Sequence, residues 1–169
     1  MANIHCPKCS EPKFEPIGRK KLLCSSCGFQ FYRNAASAVA VIIRCDDEML
    51  LAVRGREPCK GMFDLPGGFV DPGESLEQAA RREVKEELQL ELDQFQYVCS
   101  EANQYLFAEV TYDTTDAFFE ARFASKPFVQ ASDDVAAVEW QNISDINLED
   151  FAFESQRIVL ARHFSLQQR

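Results

Sequence analysis

The chain has 169 residues, 46% of them hydrophobic and 27% charged, enough to bury a real core without a disulfide framework. Its 18 Lys and Arg against 27 Asp and Glu leave a formal net charge of −9, which argues against a broad nucleic-acid or anionic-membrane surface. No run approaches the roughly 20 apolar residues that cross a bilayer. The opening residues lack the charged stretch and apolar core of a secretory signal, so a cytoplasmic location is expected.

The charge is uneven. Residues 1–33 hold six Lys and Arg and two Glu, for +4, while residues 34–169 hold twelve and twenty-five, for −13. Two differently built segments, 1–33 and 34–169, are expected. Four of the seven cysteines lie in the first, as the pairs Cys6-Pro-Lys-Cys9 and Cys24-Ser-Ser-Cys27. A CxxC turn sets two sulfurs on one side of a tight loop, and two such knuckles facing each other complete a tetrahedral thiolate site for zinc. Four ligands leave no open position, so the role expected of Zn2+ here is structural. Some thirty residues bury too little apolar area to fold alone, and the metal would supply much of the stabilisation. Pro16-Ile17-Gly18 and the basic run Arg19-Lys20-Lys21 fit a short hairpin between the knuckles. Cys45 and Cys99 read as small core residues, Cys59 as an exposed, oxidisable loop thiol, and His5 and His163 as surface or satisfied residues.

Beyond residue 34 the texture changes to strands. Residues 35–44 and 49–54 form apolar runs, with 45–48 between them as a hairpin turn. The stretch 65–73, Leu-Pro-Gly-Gly-Phe-Val-Asp-Pro-Gly, is too rich in Gly and Pro for a helix. Ser75 followed three residues later by Gln78 is a capping-box pattern that predicts a helix over 76–88. Further strands are predicted over 95–100, 105–111, 117–123 and 136–141, and an amphipathic helix over 154–164. The mixture predicts an α+β layered domain, with strand order not readable.

On the first helix, Glu83, Glu86 and Glu87 are spaced i, i+3, i+4, which brings three carboxylates onto one face with neighbouring Cβ atoms about 5–6 Å apart. The cluster borders the apolar stripe of Val84 and Leu88. Three like charges at such a margin repel unless a proton or a cation sits between them. All-oxygen ligands suit Mg2+ or Mn2+, hard ions that bridge to substrate phosphates. Gly67-Gly68, just before the helix, lets backbone approach a ligand closely and offers a carbonyl as a further hard ligand.

The spacing Gly68, five residues, Glu74, seven residues, then Arg82-Glu83-Val84-Lys85-Glu86-Glu87 and the aliphatic Leu90 resembles the signature of the Nudix hydrolases. One position departs: Gln89 stands where that signature has Gly, and a left-handed Gln costs on the order of 1 kcal/mol. With its four-Cys ribbon, the chain resembles the NADH pyrophosphatase branch and related FAD- and ADP-ribose-cleaving members. The resemblance implies an α/β/α sandwich and hydrolysis of the pyrophosphate bond of a nucleoside diphosphate linked to another group. It implies Glu83, Glu86, Glu87 and the Gly68 carbonyl as Mg2+ or Mn2+ ligands, and Glu83 as general base, with Glu120 and Glu139 as other candidates. Arg82 and Glu74 would position the cluster, Arg54 and Arg56 would reach phosphate oxygens, and Tyr105 would stack on a base. The NADH-cleaving branch carries Ser-Gln-Pro-Trp-Pro-Phe-Pro after the signature. Here Ser100-Glu101-Ala102-Asn103-Gln104-Tyr105-Leu106-Phe107 lacks the Pro-Trp-Pro core. Branch members that are dimers make a homodimer an expectation. The charge balance disfavours tight binding of free RNA but leaves room for attack on a nucleotide-capped RNA end. The rival reading is a zinc-ribbon binding module with a ligand-sensing second domain. Three intact, mutually repelling carboxylates favour the enzyme.

Overall fold

The computed structural model describes residues 4–166. The chain divides into two compact units, Met1–Ala35 and Ala36–Arg169. No helix among the described residues is long and apolar enough to cross a membrane.

The first unit is a three-stranded antiparallel sheet, β1 (Phe14–Ile17), β2 (Lys21–Cys24) and β3 (Gln30–Tyr32), in that order. Its buried apolar residues are Cys6, Phe14, Leu22 and Cys24, with Phe29 packed 6.1 Å from the Phe14 ring. So small a core makes a cross-link by metal the natural stabiliser. The four thiols supply the site. Sγ of Cys6 lies 3.8 Å from that of Cys27, Sγ of Cys9 lies 3.6 Å from that of Cys24, and all four fall within 4.8 Å of one another. A tetrahedron with ~2.3 Å metal–sulfur bonds has edges of about 3.8 Å, so the cluster has the dimensions of a zinc site. The backbone N–H groups of Cys27 and Ser26 hold the Cys24 thiol down at about 7. Against the Glu11 backbone hydrogen bond, burial and the three neighbouring thiols push Cys9 up to about 12. The four sulfurs therefore do not all ionise together without a cation among them.

The second unit opens with β4 (Ala36–Cys45) and β5 (Glu48–Arg54), joined by the two-residue turn Asp46-Asp47. The two strands pair only beside this turn, at Arg44–Met49 and Cys45–Glu48, and then diverge. Into the fork run β6 (Phe63–Asp64), paired with β5, and β7 (Gly67–Phe69), paired with β4. Leu65 and Pro66 bridge them, and the Pro66 carbonyl accepts from Val41 N–H. Helix α1 (Leu76–Leu88) follows, then β8 (Gln96–Phe107), β9 (Val110–Phe123), β10 (Val135–Asn142) and helix α2 (Glu154–Phe164). The main sheet has the order β10-β5-β4-β9-β8, with β4 and β9 parallel over ten residue pairs.

Alternation along β4 sorts the two faces. Val39, Val41 and Ile43 pack with Ala79, Ala80, Val84 and Leu88 of α1, while Ala40 and Ile42 pack with Phe118, Phe151, Val159 and Leu160 beneath α2. A helix on each face of one sheet is the expected α/β/α layering. Helix α1 has the bounds its sequence predicts, and both halves of its capping box are made: Gln78 N–H donates to Ser75 Oγ and Ser75 N–H to the Gln78 side chain. Gln89 ends it at φ 54, ψ 29, left-handed as the aligned Gly would be. The strand expected over 105–111 is instead the end of a long hairpin. Ala108 and Glu109, at φ 48 and 64, turn the chain between β8 and β9 without the Asn-Gly or Asp-Gly signal of such turns.

Candidate active site

Where the fork opens, a cavity of about 340 Å³ is walled by β4, β7, α1, β8, β9, the loop before β10 and the start of α2. Glu83, Glu86 and Glu87 of α1 line it, as do Gly67, Gly68, Arg54, Arg56 and Tyr105. Two glycines permit the approach of β7. A Cβ on Gly67 would stand 2.0 Å from the Val39 carbonyl oxygen, and one on Gly68 would stand 2.5 Å from Glu83 Oε1. The Gly-rich loop thus brings backbone directly against the carboxylates.

Arg82 ties the cluster together. Its Nε and Nη2 donate to the two oxygens of Glu74 at 2.8 and 2.9 Å, its Nη1 to Glu83 at 2.7 Å and Glu86 at 3.1 Å, and Nη2 also to the Phe69 carbonyl at 2.9 Å. Glu74 is held below its ordinary carboxyl value by Arg82 and the Asp71 N–H. Glu83 is pushed up by burial, against the pull of Arg82, with Glu86 and Asp133 adding to the rise. Glu87, 9% exposed, accepts the Gly67 N–H at 3.0 Å and is pushed up to about 8 by burial, Asp64, Glu83 and Asp133. Negative charge is therefore under-compensated here, the electrostatic condition that a divalent cation relieves. Hard carboxylate oxygens beside a close backbone fit Mg2+ or Mn2+. Among the described residues, the four thiols are the one group of three or more ligand atoms that all lie within 4.8 Å of one another. The three α1 carboxylates do not close to that distance as a set, and an ion there would share Glu83 and Glu86 with Arg82.

The opposite wall was not legible in the sequence. Asp64 is ion-paired with Arg54 and accepts from Gln156 Nε2 at 2.5 Å. Burial pushes the Asp64 carboxyl upward in spite of both partners. The two oxygens of Asp116 accept from Thr114 Oγ1 and Ser155 Oγ, each at 2.7 Å, fastening β9 to α2. Gln156 is 4% exposed, and its Oε1 is buried with no hydrogen-bond partner. An orphaned buried acceptor costs about 1–3 kcal/mol. Phe69, Tyr105 and Phe153 form an aromatic row along the cavity, with ring centroids 5.4 and 5.6 Å apart. Asp64, Asp116, Asp133 and Gln156 come from separate elements with no shared spacing. The one cue was the position of Asp64 immediately before Leu-Pro-Gly-Gly.

Several expected residues stand differently. Arg54 lines the cavity, but its guanidinium is committed to Asp64 and the Pro58 carbonyl and lies over the Phe153 ring, instead of being open to phosphate. Arg56, 64% exposed, pairs with Asp134 at the rim. Glu120 and Glu139 do not line the cavity. Glu120 points to the α2 face and is closed off by Arg44, Arg122, His163 and Gln96, while Glu139 on β10 accepts from Gln141. Neither is a base for this site. Cys45 is buried, Cys99 partly so, and the Cys59 thiol faces the Ala152 carbonyl at 3.8 Å instead of solvent.

The chain belongs to the Nudix family: the NUDIX domain matches residues 33–162. It is 28% identical over 141 residues to the NAD-capped RNA hydrolase NudC of Stutzerimonas stutzeri, covering 83% of this chain and 49% of that protein. The chain thus spans about half the length of the curated relatives it matches. The fold is shared with a Nudix hydrolase from Nitrosomonas europaea at TM-score 0.67 and 22% identity, over 97% of this chain and 94% of that one. It is also shared with the NUDIX domain of Shewanella oneidensis NrtR, solved with ADP ribose, at TM-score 0.64 and 24% identity, over 80% and 91%.

Proposed function

We propose that the chain is a metal-dependent pyrophosphohydrolase that cleaves a nucleoside diphosphate linked to another group, such as NADH, FAD or ADP-ribose. The observation that carries this reading is the run of Glu83, Glu86 and Glu87 along one cavity wall, with Glu87 facing other anions and a single backbone donor. ADP ribose in the NrtR domain and NAD-capped RNA in the name of the NudC relative point to the same class of substrate.

Glu83, Glu86, Glu87 and the Gly68 carbonyl would hold Mg2+ or Mn2+, which when bound lowers the pKa of a water ligand and offsets charge on the phosphates. Glu83, raised by burial, accepts the proton of the attacking water. Arg82, locked bidentately by Glu74, keeps Glu83 and Glu86 in place. Arg56 at the rim meets phosphate oxygens by exchanging Asp134 for them, and Tyr105 presents a ring to the base. Residues 1–33 form a zinc ribbon whose metal is structural, and residues 34–169 are the hydrolase domain. Cytoplasmic location, a small-molecule substrate and a homodimer complete the reading.

The test is release of mononucleotide from ADP-ribose, NADH and FAD. Turnover is expected with Mg2+ or Mn2+, to vanish with chelator, and to fall at least a thousandfold in Glu86→Gln. Chelator-resistant turnover refutes the reading. Binding without turnover returns the chain to the ligand-sensing class.

A further inference from the structure

We propose that the open face of the three-stranded sheet in the first unit binds single-stranded RNA, with a base stacked on Tyr32 and its phosphates met by Lys20, Lys21 and Arg33. The inference goes beyond the hydrolase reading and does not depend on it.

Charge is segregated within this unit. Lys8 sits inside the first CxxC turn, and the Lys13 carbonyl accepts from the Ser25 N–H inside the second. Both lysines thus belong to the knuckle end, where four thiolates on one zinc ion leave an excess of negative charge to offset. The other four cations, Arg19, Lys20, Lys21 and Arg33, collect at the opposite end of β2 from Cys24. Arg19 and Lys20 lead into β2, the Arg33 N–H donates to the Lys20 carbonyl at 2.8 Å, and Lys21 stands opposite Tyr32. Lys20, Lys21 and Arg33 have no carboxylate partner among the described residues. A net charge of −9 argues against a broad polyanion surface, not against a local one of this kind.

Register sets an aromatic ring among these charges. Residues paired across an antiparallel ladder share a face. Ile17, Lys21 and Tyr32 therefore form one row, with Glu15, Leu23 and Gln30 as the next row toward the knuckles. Phe14, Leu22 and Cys24 point the other way, into the small core. The first face is open: Tyr32 is 58% exposed and Ile17 48%. Lys21 Nζ donates to Gln30 Oε1 at 3.0 Å, and the Tyr32 hydroxyl donates to the same oxygen at 3.4 Å. An ammonium group can only donate, so the amide orientation is fixed and Nε2 is left as a donor on an exposed side chain.

An exposed ring flanked by cations on a sheet face takes an unstacked base while the cations meet its phosphates. A duplex keeps its bases stacked and offers the ring nothing. An acidic peptide uses the cations alone. The Gln30 donor beside the ring suits a ribose 2′-hydroxyl, the group that separates RNA from DNA.

The experiment is fluorescence anisotropy of an unstructured, fluorescein-labelled RNA of about 15 nucleotides, titrated with the full zinc-loaded chain. A Kd of about 10–100 µM is expected at about 50 mM salt, with log K falling against log salt at a slope of about −2 to −3 for three or four phosphates. Tyr32→Ala should weaken binding at least about fivefold and Tyr32→Phe by less than about twofold, which reads the ring and not the fold. Replacing both Lys20 and Arg33 by Ala should make the slope shallower by about 1.4. Absence of binding overturns the inference, as does affinity retained in Tyr32→Ala or a slope unchanged in the double variant. So does tighter binding of DNA of the same sequence, or displacement by polyglutamate of equal charge as effective as by unlabelled RNA. Turnover of ADP-ribose should be the same in all these variants. The two readings fail separately: turnover without RNA binding removes this surface alone, and RNA binding without turnover removes the hydrolase alone.

Discussion

Glu87 on α1 and Glu120 on β9 are both buried, at 9% and 1% exposure, and burial pushes both carboxyls upward. Around Glu120 the fold supplies Arg122 at 2.8 Å, Arg44 at 3.2 Å and His163 at 3.3 Å, and the result lies below the ordinary carboxyl value. Around Glu87 it supplies one backbone N–H and three further carboxylates, and the result is about 8. The same unit therefore contains a buried charge neutralised from within and one that is not. The first holds β4, β8, β9 and α2 together. The second keeps a deficit, the one that the proposed cation would fill.

The strongest way to break the contrast is to neutralise each glutamate in turn. Glu87→Gln should lower kcat on the best diphosphate substrate at least a thousandfold, while the melting temperature holds or rises, since an uncompensated charge is removed. Glu120→Gln should do the reverse. Leaving Arg44 and Arg122 without their counter-charge costs about 3 kcal/mol in denaturant unfolding, with turnover per folded molecule within a few-fold of wild type.

A pH series sharpens the comparison. The folded value of Glu87 lies above its unfolded value of 4.5, so its contribution is fully present below 4.5 and lost as pH rises through about 8. Glu120 is depressed, so its contribution is present above its unfolded value and lost as pH falls through the folded one. The metal-free catalytic unit should melt a few degrees lower at pH 8 than at pH 5.5, and Glu87→Gln should flatten that slope relative to wild type. The smallest effect lies at the C-terminal end of α1. Gln89→Gly relieves a left-handed side chain and should add about 1 kcal/mol of stability, read as a rise in melting temperature, without changing kcat.

Local signals carried what was legible in the sequence. The capping box at Ser75 and Gln78, the i, i+3, i+4 glutamates and the paired CxxC turns are each complete within a few residues; the cap and the cysteine cluster stand as read, and the three glutamates share one cavity wall. The hairpin tip escaped because Ala108 and Glu109 adopt positive φ without the residues that normally announce it. The far wall escaped because Asp64, Asp116 and Gln156 meet only through the fork of β4 and β5 and the docking of α2. No periodicity encodes that meeting. Arg54 shows the same limit: its position before the Gly-rich loop is visible in the sequence, but its partner Asp64 is not.

The ladder of β4 with β9, from Ala36 beside Thr114 to Cys45 beside Phe123, also orders events during synthesis. Helix α1, which carries the proposed ion ligands, and its glycine loop leave the ribosome well before β9 and α2, which floor the cavity. A nascent or truncated chain would display the acidic half of the centre with nothing to hold a nucleotide against it. The cavity is walled on all sides only once α2 docks.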